Sequence, residues 1–137
     1  MKTLTIFLDF DGTVVEHAFP EIYAANPGSI GVIRKLQNAG HIIILNTYRA
    51  ELGNGYLEAA IEFLEEEEHG LKPMHEIRQF KVNPKDWDLD AYIDAGVMFI
   101  DDISKGIPLI PNRALSSGLM VDWKVLDKMF EKKGVYG

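Results

Sequence analysis

Three short apolar runs, Leu4–Leu8, Ile42–Leu45 and Val97–Ile100, each stop abruptly on a polar cluster. The first delivers Asp9-Phe10-Asp11-Gly12-Thr13, the second Asn46-Thr47-Tyr48-Arg49 and the third Asp101-Asp102. Continuous apolar runs of this length suit strands buried on both faces, whereas a half-exposed strand alternates. Segments of helical spacing separate them. Strand–helix alternation predicts an α/β fold, a mainly parallel sheet with helices on both faces. Ligands of such sheets bind beyond the carboxyl ends of the strands. The three polar clusters are therefore expected to meet at one edge.

The pattern sets the remaining expectations. Residues 14–27 read as irregular, broken by Pro20, Asn26 and Pro27. Ser29 is the expected cap of a helix carrying Ile30, Ile33 and Leu36, with Gly40 as its stop. The second strand is expected over 41–46. A helix over 52–68 places Leu57, Ala60, Ile61 and Leu64 on one face and ends in the solvated run Glu65–Glu68. A short strand is expected over 77–80 and a helix over 86–95 that packs through Trp87, Tyr92 and Ile93. Gly96 ends that helix before the strand Val97–Ile100. A loop-rich stretch then leads to a short strand, Leu119–Val121, and to a terminal helix capped by Asp122 with Leu126, Met129 and Phe130 inward. No repeat or linker divides the 137 residues, so one domain over 1–137 is expected.

Composition excludes several classes of function. The net charge is −7, from 14 basic and 21 acidic residues. That disfavours nonspecific attachment to nucleic acid or anionic membrane. No cysteine is present, so disulfides, thiolate nucleophiles and thiolate zinc sites are ruled out. No apolar run approaches the roughly 20 residues of a membrane-spanning helix. The run Leu4–Leu8 is too short for a signal-peptide core. These features predict a cytoplasmic protein.

The acids ending the first strand carry the chemistry. Carboxylates sharing a site push each other toward neutrality, so a cation is the expected partner. Hard oxygen ligands suit Mg²⁺. His41, His69 and His75 show no metal-ligand spacing and read as structural. His17 lies in the loop beside the expected site. Trp87 and Trp123 read as packing residues.

Asp9-Phe10-Asp11-Gly12-Thr13 resembles the first motif, DxDGT, of the haloacid dehalogenase-like hydrolase superfamily. Thr47 at a strand end resembles its second motif and Asp101-Asp102 its acidic fourth. Lys85 is the choice for its motif-three lysine, with Lys81 as rival. The resemblance spans most of the chain. It implies a Rossmann-like three-layer α/β/α sandwich and a Mg²⁺-dependent phosphatase acting on phosphate monoesters. Asp9 would attack phosphorus as nucleophile, and Asp11 would serve as general acid and then base. Thr47 and Lys85 would stabilise the transferring phosphoryl group. Phe10 and Asp11 would lend backbone N–H groups, and Gly12, Thr13, Asn46 and Arg49 complete the expected phosphate-binding set. Asp9, the Asp11 carbonyl, Asp101 and Asp102 would hold the metal, with Asp101 preferred as direct ligand, Asp102 behind it, and an exchange of these two roles left open.

Relatives often insert a cap domain after the first or second motif. Neither interval here has room for one, which predicts a capless chain with an open site. Gly106-Ile107-Pro108 and Asp122-Trp123 resemble the tail of some small capless relatives. The phosphorylated substrate is then either a small metabolite or a macromolecule whose bulk excludes water, and a second subunit of a homo-oligomer is a further source of a lid. Two other readings stay open: a phosphotransferase or mutase of the same fold, and a non-catalytic module that binds phospho-ligands. A two-component receiver domain is excluded, because its acidic pair follows the first strand and its phosphorylated Asp the third.

Overall fold

The computed structural model describes residues 2–78, 86–113 and 118–137. Its elements in chain order are β1 (Thr5–Leu8), α1 (Ser29–Asn38), β2 (Ile42–Asn46), α2 (Tyr56–Leu64), β3 (Glu76–Arg78), α3 (Leu89–Ala95), β4 (Val97–Ile100), β5 (Leu109–Pro111), β6 (Leu119–Val121) and α4 (Trp123–Lys132). The first four strands form one sheet of order β3-β2-β1-β4, and every pairing within it is parallel. The chain adds β2 and β3 on one side of β1 and then returns to lay β4 on the other. The direction of winding thus reverses at the β1–β4 seam, where an open parallel sheet leaves a crevice.

Burial follows the apolar runs. Ile6, Phe7 and Leu8 of β1, Ile43, Ile44 and Leu45 of β2, and Met98, Phe99 and Ile100 of β4 are all buried. Side chains on both faces of these strands are apolar because the sheet is covered on both. Helix α1 contributes Val32, Ile33 and Leu36 to the core, and α4 contributes Trp123, Leu126 and Phe130. These two helices touch each other, while α3 packs on β4. Among the described residues, no helix is long and apolar enough to cross a membrane.

His41 shows how a buried polar side chain is satisfied here. Its Nδ1 accepts from the Leu4 N–H at 3.0 Å, so the ring proton sits on Nε2, which donates to the Val135 carbonyl at 2.6 Å. The ring ties the start of β1 to the chain end after α4, a structural role as expected. Both tryptophans are also core residues, with Nε1 donating to the Phe99 and Thr13 carbonyls respectively, each at 2.6 Å.

Several expectations need correction. Ser29 is the first residue of α1 rather than its cap. Gly28 holds the cap position with φ +86°, and the Ser29 hydroxyl donates instead to the Val14 carbonyl. The long helix expected over 52–68 is divided. A 3₁₀ turn covers Tyr48–Glu51, α2 runs only over Tyr56–Leu64, and a second 3₁₀ turn covers Glu67–His69. Asn54 and Gly55 adopt φ +64° and +78° between the first turn and α2, a left-handed conformation that a continuous helix cannot hold. The third strand begins at Glu76, and residues 79–80 of the expected span lie outside the described residues. The helix expected over 86–95 starts at Leu89, where the Asp88 carboxylate caps it. The strand Leu119–Val121 pairs antiparallel with β5 in a separate two-stranded sheet, and β5 has no counterpart among the expected elements.

Candidate active site

Register brings the polar clusters together. Leu8 is matched with Leu45 on one side and with Ile100 on the other. The next residues, Asp9, Asn46 and Asp101, therefore stand side by side at one edge of the sheet. The Asp9 N–H donates to the Ile100 carbonyl at 3.0 Å, which continues the β1–β4 ladder to the acid itself.

Beyond Asp9 the chain turns sharply. The N–H groups of Thr13, Val14 and Val15 all donate to the Phe10 carbonyl, and the Gly12 N–H donates to the Val15 carbonyl. Gly12 takes φ +75°. A Cβ on it would lie 2.1 Å from His17 Nε2 and 2.7 Å from Asp102 Oδ2, so only glycine fits. The Thr13 hydroxyl donates to Asp9 Oδ2 at 3.3 Å. Behind it, the Thr13 carbonyl accepts from both Trp123 Nε1 and Asn26 Nδ2.

The segment 14–27 is better ordered than a plain irregular loop. Val15 bridges to Asp11 and to Ala25, and the Glu16 N–H donates to the Ala24 carbonyl, giving a narrow flap beside the site. Asn112 grips this flap from the other side. Its Oδ1 accepts from the His17 N–H at 2.8 Å and its Nδ2 donates to the His17 carbonyl at 3.2 Å.

The two acids after β4 make different contacts. Asp101 Oδ1 accepts from the N–H groups of Ile103 and Ser104 at 2.8 and 2.7 Å, and its Oδ2 accepts from the Ser104 hydroxyl at 2.9 Å. Its carboxylate builds the turn that follows the strand. It is Asp102 that presses on Asp9. Burial, and then the Asp102 charge, hold the Asp9 carboxyl well above the usual carboxylate range. On its other side Asp102 Oδ2 accepts from His17 Nε2 at 2.5 Å. That bond is the main reason the His17 pKa is raised, and partial burial opposes it.

Arg49, expected at a phosphate, is 1% exposed and bound to other parts of the chain. Its Nε and Nη2 donate to Asp11 Oδ2 and Oδ1, each at 2.8 Å. Nη1 donates to the Tyr56 carbonyl at 3.0 Å and Nη2 also reaches the Pro20 carbonyl at 3.3 Å. The guanidinium lies 5.2 Å from the Phe10 ring centroid and 4.9 Å from that of Phe19. A planar fork is needed for such a site, which suits arginine and not lysine. Arg49 thus fastens Asp11, the flap and the start of α2 together.

Thr47 stands buried at the end of β2, and its Oγ1 accepts from the Arg49 N–H at 3.1 Å, so it caps the 3₁₀ turn. Asn46 and Phe10 are fully buried, and the Phe10 ring packs edge-on to Phe63 in the core. Lys85 and its rival Lys81 lie outside the described residues. Asn112 is absent from the site expected on sequence grounds, and His17 is only a neighbour of it there. Both sit in stretches with no periodicity, and only the fold sets Asn112 on the His17 backbone and the His17 ring on Asp102. A separate surface group, Glu66, Glu68 and His69, brings potential ligand atoms within 4.8 Å of one another on the exposed turn before Gly70.

Among solved structures the chain is similar to a conserved protein of Bacteroides thetaiotaomicron, at 25% sequence identity and a TM-score of 0.59, with 96% of this chain and 93% of that chain covered. No family model and no curated protein matches it. The likeness supports an α/β fold with a parallel central sheet.

Proposed function

We propose that this chain is a Mg²⁺-dependent phosphatase of the haloacid dehalogenase-like type, capless, with its sheet as the middle layer of a three-layer sandwich, and that it hydrolyses phosphate monoesters through an aspartyl-phosphate on Asp9. What supports this reading is the geometry of the β1–β4 seam, where the register sets Asp9 beside Asp101-Asp102 and the Asp9 N–H donates to the Ile100 carbonyl. Two acids so placed repel unless a proton or a cation lies between them. The donor set is hard oxygen, which fits Mg²⁺. Asp9, Asp102 and the Asp11 carbonyl would hold the ion. Bound there, it would neutralise charge on the phosphoryl oxygens and on Asp9.

The protein groups divide the remaining work. Asp9 forms the new bond to phosphorus as the leaving-group oxygen departs with its electron pair. The Thr13 hydroxyl, 3.3 Å from Asp9 Oδ2, fixes the nucleophile's orientation. The O–H of Thr47 donates to a phosphoryl oxygen. Asp11 supplies a proton to the leaving group and later takes one from the attacking water. Its carboxylate is folded onto Arg49, so both transfers require the side chain to swing away from the guanidinium. Release of Asp11 is a conformational step of this reaction, and substrate binding is what drives it.

The test is a screen of phosphorylated metabolites with Mg²⁺ and with EDTA. EDTA-sensitive release of phosphate supports the reading. Binding of phosphate esters without turnover would favour a non-catalytic module.

A further inference from the structure

His17 makes no contact that the chemistry above requires, yet three features converge to place it. Its Nε2 lies 2.5 Å from Asp102 Oδ2. Its backbone is held at both N–H and C=O by the Asn112 side chain. The residue beneath the ring is a glycine with φ +75°, where any Cβ would displace the imidazole. The His17 side chain is 37% exposed and that of Asp102 11%, so the pair sits at the site's rim with the acid inside.

We propose that His17 is a positioning residue for the divalent cation: by donating from Nε2 to Asp102 Oδ2, it fixes the carboxylate so that the other oxygen faces Asp9 and the ion. The inference rests on the metal-dependent reading of Asp9 and Asp102. A metal-binding carboxylate oriented by an outer hydrogen bond binds its ion more tightly than one left to rotate, and loss of such a partner commonly weakens binding about 10–100-fold. The contact also joins the 14–27 flap to the ion. Because His17 is gripped by Asn112 and the flap is held by Arg49 at Pro20, ion binding and flap order reinforce each other.

Mn²⁺ binding to the intact chain, followed by the electron paramagnetic resonance signal of the free ion with Mg²⁺ as competitor, tests this without activity. His17→Ala is expected to weaken Mn²⁺ binding about tenfold or more. His17→Gln, whose amide N–H reaches about as far as Nε2, is expected to restore affinity to within about threefold of wild type. His17→Asn, too short to reach, should behave like His17→Ala. Circular dichroism of each variant confirms its fold, and the Gln–Asn contrast decides the matter if His17→Ala does not fold. Affinity in His17→Ala equal to or above wild type would overturn the proposal. So would equal losses in the Gln and Asn variants, because the flap's packing and not the hydrogen bond would then be responsible. A wild-type chain that binds neither ion would instead overturn the metal-dependent reading itself.

Discussion

The Arg49 guanidinium closes on the Asp11 carboxylate through two hydrogen bonds of 2.8 Å, between residues 38 apart in sequence. Arg49 is fully buried, while the Asp11 side chain keeps 19% of its surface. Removing the arginine strands one acid and the carbonyls of Pro20 and Tyr56. Arg49→Met is expected to cost about 3 kcal/mol, the low end for a broken buried pair because Asp11 retains some water. Arg49→Lys should recover little of it, since an ammonium cannot make the fork. Urea unfolding midpoints measure both. A loss below about 1 kcal/mol would mean that the pair contributes no more than a surface ion pair.

Gly12 is the second sensitive point. Gly12→Ala forces an alanine to φ +75° and drives the imidazole of His17 off Asp102. The strain alone should cost about 1–3 kcal/mol. Turnover should fall further than stability, because the same residue shapes the site. Comparing kcat with the unfolding midpoint separates the two effects.

The pH dependence of stability has a definite sign in the metal-free chain. Asp9 is raised by burial and by Asp102, and His17 is raised by its bond to Asp102. Both groups bind protons more tightly folded than unfolded, so each contributes stability at low pH that is lost as pH rises through its folded value. The Asp9 part begins to fade above about 3.9 and the His17 part above about 6.5, their unfolded values. In EDTA, Asp9→Asn should therefore gain on wild type as pH rises from about 4 upward. Mg²⁺ should stabilise wild type increasingly over the same range. Thermal melts at several pH values, with and without Mg²⁺, would show this. A gain of Asp9→Asn over wild type that shrinks with rising pH would contradict it.

His41 gives a purely structural test. His41→Ala leaves the Leu4 N–H and the Val135 carbonyl without partners and opens a void, so about 2–4 kcal/mol of stability should be lost. Metal affinity should be unchanged in the folded protein. Urea titration and Mn²⁺ binding check the two halves.

How far the sequence carries can be seen residue by residue. β1, β2 and β4 are legible because each is a continuous apolar run, and Val97–Ile100 falls where the pattern puts it. Asp122 and Trp123 mark the last helix for a similar reason, a cap followed by apolar residues at helical spacing. The break before α2 is hidden although Gly53-Asn54-Gly55 carries turn residues, because apolar spacing on either side masks them. β5 is three residues long, one of them Pro111, and its pairing with β6 is tertiary. In the site, the strand-end acids follow from topology. The commitments of individual side chains do not. Nothing local to Arg49 indicates that its partner is Asp11, and nothing in Asp101-Asp102 indicates which acid faces Asp9. Those choices depend on contacts between distant segments, as does the meeting of His17 with Asn112.

The central claim is that Asp9 attacks phosphorus. The most direct measurement is p-nitrophenyl phosphate turnover by wild type and Asp9→Asn in Mg²⁺, with folding confirmed by circular dichroism. An amide in place of the nucleophile should lower kcat by at least about a thousandfold. Retention of activity within about tenfold of wild type would contradict the account.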